Sequence, residues 1–204
     1  MKKLFLCSSF QDVAKFLPEF IPNDLEGKTV TFIPTAALHE KVNFFVKSGK
    51  KALEKMGLTV DELEVTTATP SEIIEKLQKN DFIYVSGGNT FFLLQELRRV
   101  GADKQIVEQI EAGKLYIGES AGSLILAPNI EYVKQMDDCK EAQELTSFDA
   151  LNAVGFYPLP HQNSFPFQKV VEKIVANYNE KIPLKTITNA QAILVDGSDV
   201  KIVG

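Results

Sequence analysis

An α/β domain built on one doubly wound, mostly parallel sheet is the fold this sequence predicts. Apolar β-rich runs alternate with segments of helical period over the first two thirds of the chain. Several of those runs are apolar throughout, as strands buried on both faces are. A length of 204 residues, 45% of them hydrophobic, suits one core and is short for two, so residues 1–204 are read as one domain.

In chain order, Lys3 to Cys7 reads as a strand and Phe10 to Phe20 as a helix that stops near Pro22. Thr29 to Ile33 is a second strand, bounded by Gly27 and Pro34. Val42, Phe45, Val46 and Leu53 carry a helical period from Lys41 to Met56, which Gly57 ends. Leu58 to Val65 reads as a third strand, and Pro70-Ser71-Glu72 opens a helix running to Gln78. Phe82 to Val85 is short and apolar, as a strand buried on both faces is. Thr90 to Val100 and Asp103 to Ala112 are helical, Leu115 to Ile117 is a strand, and Ala121 to Leu126 is a helix closed by Pro128. Beyond Pro128 the pattern becomes irregular. Leu184 to Val203 reads as antiparallel strands turning at Asp196-Gly197-Ser198.

Composition narrows the function. The 22 basic and 27 acidic residues are spread along the chain for a net charge of −5, with no basic stripe, which argues against a nucleic-acid partner. No apolar run approaches a membrane span. The opening Met1 to Ser9 has only four consecutive apolar residues before Gln11-Asp12, and reads as a buried strand rather than a leader. A cytoplasmic location follows as the expectation, and a homodimer is left open. Cys7 and Cys139 lie far apart and read as reduced thiols, one in the core and one in a loop. Two histidines and two cysteines at unrelated spacings make no metal site, and no cofactor is expected.

Ligands of such sheets sit beyond the carboxyl ends of the strands, which here means Pro34 to His39, Ser86 to Thr90 and Gly118 to Gly122. The last of these is Gly118-Glu119-Ser120-Ala121-Gly122, directly after a strand and directly before a helix. A serine on such a sharp turn projects its hydroxyl away from the sheet, and the flanking positions must be small because they pass close together. The helix start favours negative charge beside it, so the Ala121 N–H becomes one expected oxyanion donor. The bare spacing arises by chance in about one chain in fifteen of this length; the strand before it and the helix after it are what make it specific. Ser86-Gly87-Gly88-Asn89-Thr90 ends the neighbouring buried strand, and its glycines free backbone N–H groups for a second donor, assigned to Gly87 or Gly88. Alone, Gly-Gly-Asn is equally an ordinary turn with a helix cap. A hydroxyl nucleophile needs a base, and the chain offers only His39 and His161. His161, in the irregular Leu159-Pro160-His161-Gln162-Asn163 segment, is the better placed; His39 is followed by Glu40 and Lys41 and reads as a loop residue.

Taken together, Val85 to Phe91, Leu115 to Gly122, Phe148-Asp149-Ala150-Leu151-Asn152 and Pro160-His161 resemble the peptidase E family, which includes the cyanophycinases. The resemblance runs in order over most of the chain and is loosest at the C-terminus. It implies a serine exopeptidase with a class-I-glutamine-amidotransferase-like, flavodoxin-like three-layer fold, acting on small peptides. Ser120 then matches the nucleophile, His161 the base, and Gly88 with Ala121 the oxyanion positions. Gly87, Asn89 and Glu119 match positions lining the substrate. The chain departs from the pattern at the third triad member. Where the family has a carboxylate, this sequence has Gln135 or Asn189, with Asp137, Asp138 and Glu119 as nearby substitutes. An amide can hold a histidine tautomer but cannot balance imidazolium charge. Glu119 also sits where relatives carry Trp or Thr, so a preference for Asp-Xaa dipeptides is not carried over. Two alternatives stand beside serine-dependent peptide hydrolysis: a non-catalytic binding protein on the same scaffold, and an esterase of the α/β-hydrolase type.

Overall fold

The computed structural model describes residues 1–21 and 25–204, so the expected helix stop at Pro22 lies outside the described residues. β1 (Lys3–Cys7) leads through two single-turn helices, α1 (Phe10–Val13) and α2 (Leu17–Phe20), to β2 (Thr29–Ile33). α3 (Phe44–Lys55) joins β2 to β3 (Thr59–Glu62), and α4 (Pro70–Lys79) leads to β4 (Phe82–Val85). Two consecutive helices, α5 (Thr90–Val100) and α6 (Ala102–Glu111), precede β5 (Leu115–Glu119), which runs directly into α7 (Ala121–Leu124). The last third holds β6 (Tyr157–Leu159), α8 (Gln168–Tyr178), β7 (Leu184–Thr186) and the hairpin of β8 (Ala192–Asp196) and β9 (Asp199–Val203).

The central sheet has the order β3-β2-β4-β5-β1-β8-β9. β3, β2, β4, β5 and β1 are mutually parallel, while β8 and β9 run antiparallel at one edge. Side-chain alternation along the strands divides the core into two layers. Phe5, Phe32, Tyr84, Leu115 and Ile117 face Phe10, Val13, Leu17 and Leu53 on one side. Leu4, Leu6, Ile83, Val85 and Tyr116 face Ile73, Leu97, Ile106, Leu124 and Val171 on the other. Helices thus cover both faces of a mostly parallel sheet with antiparallel C-terminal strands, the fold class expected. Register matters most at the carboxyl ends: Val85 pairs with both Ile33 and Gly118, and Cys7 pairs with Glu119. The loops leaving β1, β2, β4 and β5 therefore emerge side by side.

Local chemistry explains the element boundaries. Thr69 caps α4 by accepting the Glu72 N–H, Pro70 fills the first turn, and Asn89 caps α5 in the same way through Phe92 N–H. Gly101 takes the left-handed conformation that ends α5 and starts α6. The expected single helix from Phe10 to Phe20 is corrected to α1, a 3-10 turn over Ala14–Phe16, and α2. Pro18 explains the break, since it has no N–H for a continuous ladder and is tolerated only in a first turn. The helix expected from Lys41 begins at Phe44, and the third strand shrinks to Thr59–Glu62, the stretch that registers with β2. Leu184 to Val203 is not all antiparallel. β7 pairs in parallel with β6 in a separate two-stranded sheet, and only β8 and β9 form the hairpin. α8, which buries Val171 and Ile174, lies in the region read as irregular. No helix among the described residues is long and apolar enough to cross a membrane.

One lysine organises the junction of α4, β4 and β5. Lys114, just before β5, donates to the carbonyls of Leu77, Gln78 (3.0 Å) and Asn80 (2.6 Å), the acceptors left open where α4 ends. Lys114→Ala leaves them without that donor and is expected to cost about 1–3 kcal/mol of stability, seen as a lower urea midpoint at unchanged slope.

Candidate active site

Ser120 sits where β5 becomes α7, with φ 49° and ψ −108°, backbone that a non-glycine residue adopts only under constraint. The constraint comes from its neighbours. A Cβ at Gly118 would stand 2.5 Å from the Gly122 carbonyl oxygen, and one at Gly122 would stand 2.1 Å from the Val85 carbonyl oxygen. The two glycines are therefore steric requirements of the turn. Its backbone is tied down from several sides: Ser120 N–H donates to the Cys7 carbonyl (2.9 Å) and Tyr116 Oη to the Gly122 carbonyl (2.7 Å). Ser123 Oγ accepts from Cys7 N–H (3.0 Å) and lies 2.7 Å from the Gly118 carbonyl. Tyr116 and Ser123 carry no chemistry readable in the sequence; their role is visible only once β1 and β5 are paired.

His161 follows β6 and also has positive φ, 66°. Its Nε2 is 2.8 Å from Ser120 Oγ and its Nδ1 is 3.0 Å from Asn189 Oδ1. An amide oxygen only accepts, so Nδ1 carries the proton and Nε2 is free to accept the Ser120 hydroxyl. The small β6–β7 sheet explains how two residues 28 apart in sequence meet. β6 ends just before His161 and β7 just before Asn189, with Ile187 N–H bonded to Leu159 O and Gln162 N–H to Ile187 O, each at 3.0 Å. Ser8 ties this unit to the end of β1, accepting from His161 N–H (3.0 Å) and donating to Thr188 O (3.1 Å). Phe167 stacks on the imidazole, with centroids 4.6 Å apart and planes at 22°. Burial pushes the His161 pKa below its ordinary value while the Asn189 bond pulls it up, so the setting favours the neutral ring.

The Gly87-Gly88 loop lies directly against this pair. A Cβ at Gly87 would be 3.1 Å from Ser120 Cβ, and one at Gly88 would be 2.1 Å from the Ala36 carbonyl oxygen. Gly88 has φ +135°, which L side chains rarely adopt. Among the described residues, neither the Gly88 nor the Ala121 N–H has a loop or turn backbone acceptor. The ring of Phe45 approaches the Gly87 position to 3.5 Å and forms a wall beside the serine.

Several expected site residues do other work. Asn89 is buried, caps α5 and donates to the Asp138 carbonyl (2.9 Å). Glu119 is 3% exposed and turned into the sheet layer holding Phe10 and Tyr84. Gln135 is exposed, and Asn189 occupies the nitrogen it was expected to orient. Asp137 receives Thr90 N–H (2.9 Å) and Thr90 Oγ (2.5 Å), and burial raises its pKa to about 6; Asp138 accepts from Lys140 N–H. Neither reaches His161. His39 is 3.4 Å from a Glu141 carboxylate oxygen and lines a separate cleft of about 590 Å³ with Phe92, Glu96, Arg99, Lys140 and Glu144. Cys7 is buried in β1, where desolvation and Glu119 push its thiol pKa up, the opposite of what a nucleophile needs.

The fold and this geometry define an α/β protein carrying a serine–histidine–amide chain at the carboxyl edge of a parallel sheet. The model of peptidase family S51 matches residues 4–203, and the chain belongs to that family, the family of peptidase E. It is 58% identical over 200 residues to an uncharacterized peptidase of Listeria innocua, covering 98% of this chain and 95% of the relative. Against peptidase E of Salmonella arizonae the identity is 33% over 174 residues, covering 81% of this chain and 71% of the relative. A 1.5 Å crystal structure of a Listeria monocytogenes protein assigned provisionally to peptidase E superposes with a TM-score of 0.96 at 56% identity, covering 100% of this chain and 98% of that one. A peptidase from an acI-B1 Actinobacterium shares the fold, with a TM-score of 0.71 at 22% identity, over 100% of this chain and 88% of that one. These relatives support a peptidase function.

Because a side chain at position 122 meets backbone rather than a movable group, Gly122→Ala is expected to destabilise by roughly 3 kcal/mol, the upper end for overpacking. Thermal unfolding followed by circular dichroism measures it.

Proposed function

We propose that the protein hydrolyses peptide bonds of small peptides through an acyl-enzyme on Ser120. Ser120 Oγ attacks the carbonyl carbon as His161 Nε2 takes its proton, and the C–O bond forms while the carbonyl oxygen gains charge. The N–H groups of Gly88 and Ala121 receive that oxyanion. Collapse breaks the C–N bond, and His161 returns the proton to the leaving amine. Water then attacks the acyl carbon with His161 again as base, releasing the carboxylic acid and restoring Ser120. Every proton in this sequence is carried by the chain's own groups or by water.

The observation that carries the reading is the pair of contacts on one imidazole, Ser120 Oγ at 2.8 Å and Asn189 Oδ1 at 3.0 Å. Asn189 holds the tautomer in which Nε2 is the base. It provides no negative charge for the imidazolium, so the proton transfer relies on geometry more than on charge. The reading as a non-catalytic binder drew on the missing carboxylate and expected no carboxylate or amide side chain within hydrogen-bonding distance of His161; Asn189, at 3.0 Å, weighs against it. The reading as an α/β-hydrolase-type esterase has no support in the family match.

A fluorophosphonate probe should label the wild type and fail on Ser120→Ala; equal labelling of both removes Ser120 from the mechanism. His161→Ala should slow labelling by about 10²- to 10⁴-fold. The pH profile tests Asn189. The base works only when neutral, so the rate falls as pH drops through the His161 pKa, which burial places below the ordinary histidine value. Asn189→Asp adds a charge that favours imidazolium, and it is expected to move that acid limb to higher pH and raise the limiting rate. An unmoved limb shows that position 189 does not act on the ring.

A further inference from the structure

The hydrolytic scheme leaves one buried ionisable group beside the nucleophile unused. Glu119 is the last residue of β5, immediately before Ser120, and is 3% exposed. Its Oε1 accepts from Phe10 N–H (2.8 Å) and its Oε2 from the Tyr84 hydroxyl (2.7 Å), and the Gly87 N–H favours its ionised form. A buried carboxylate is costly without partners, and no cation figures among the groups that act on this one. α3 adds an independent sign that the arrangement is built. Glycine weakens a helix interior, yet α3 has Gly49 there, and a Cβ at that position would stand 2.4 Å from Tyr84 Oη and 3.6 Å from Glu119 Oε2. The helix makes room for the Tyr84–Glu119 pair.

We propose that Glu119 is a positioning residue for the hydrolysis: its ionised carboxylate, bonded to Tyr84 of β4 and attractive to the Gly87 N–H, holds the loop that leaves β4 against the Ser120 turn and sets where the loop's N–H donor stands relative to the serine. The inference rests on the acyl-enzyme reading above. Glu119 adjoins Ser120, and its carboxylate bonds Tyr84 three residues before Gly87, where a Cβ would be 3.1 Å from the serine Cβ. Gly88, the proposed donor, is the next residue. A shift of Gly87 therefore carries directly to the oxyanion position.

The surroundings make the brace sensitive to protons. Burial raises the Glu119 pKa to about 7 and Asp12 on α1 pushes the same way, while the bonds from Phe10, Tyr84 and Gly87 pull it down. β1 presents Cys7 and β4 presents Tyr84, both held neutral by burial, and α3 approaches with Gly49. Protonation removes the charge that strengthens the bonds from Phe10 and Tyr84 and that attracts the Gly87 N–H. The Gly87 anchor weakens as pH falls through neutrality.

The test is the rate of fluorophosphonate labelling of Ser120 across the neutral pH range, with circular dichroism on each variant. The wild type is expected to lose rate in two stages on the acid side, one from Glu119 and one from His161. Glu119→Gln should lower the limiting rate by about 10- to 100-fold, as misplacing an oxyanion donor does, and should keep only the His161 stage. Tyr84→Phe removes a bond that favours the ionised form, so the Glu119 stage should move to higher pH. A folded Glu119→Gln protein with the wild-type rate and profile overturns the proposal. So does an unmoved stage in Tyr84→Phe, which decides the matter alone if Glu119→Gln does not fold. Absence of Ser120 labelling in the wild type at every pH overturns the hydrolytic reading itself, and this inference with it.

Discussion

The passage of Gly122 across the Val85 carbonyl is the contact on which the site depends. It forces β5 to turn into α7 within one residue of the β4 ladder, and so gives Ser120 its positive φ. The same closeness brings the loop after β4 against the serine, because β4 and β5 end in register at Val85 and Gly118. Strand pairing, turn strain and the juxtaposition of the two glycine-bearing loops are thus one geometric fact seen at three scales. The core holds it in place: Tyr116 and Ser123, buried on either side of the turn, fasten its carbonyls to neighbouring elements.

The two sheets divide the labour of the site. The large parallel sheet presents Ser120 and the Gly87-Gly88 loop, while the small β6–β7 pair presents His161 with Asn189. Ser8, at the end of β1, is the main polar link between them. An amide in place of a carboxylate leaves the imidazole correctly oriented in a largely buried setting that favours its neutral form. The proposed chemistry is thus shaped by position and desolvation on the histidine side, with the nearest buried carboxylate, Glu119, set beneath the nucleophile's turn.

Legibility in the sequence followed periodicity. β1, β2, β4 and α5 end where their patterns end, because each is a continuous apolar or amphipathic run, and all but β1 have a glycine, proline or cap close to a boundary. Residues 10–20 were harder, since an unbroken apolar period hid the break that Pro18 imposes. The region from Pro128 to Asn152 has no period to read. It is held by backbone bonds such as Leu151 N–H to Ile125 O (3.0 Å) and by Arg98, which donates to Ser147 O (2.8 Å). Ser120 and His161 were visible from motif and type, and Asn189 was one of two amides open as the orienter. Choosing between it and Gln135 required knowing that β7 pairs with β6, a long-range pairing of two three-residue strands that carries almost no local signal. The burial of Glu119 and Asn89 was hidden for a related reason: adjacency in sequence to a candidate site residue says nothing about which side of a strand or which end of a helix a side chain serves.

Mounting His161 and Asn189 on one miniature sheet has a mechanical consequence. When that sheet shifts relative to the large one, both residues travel together, so the imidazole keeps its tautomer even while its reach to Ser120 changes. The choice of ring nitrogen is thus settled within the small sheet's own unit, while the reach to Ser120 is settled between that unit and the large sheet, with Ser8 as the polar link.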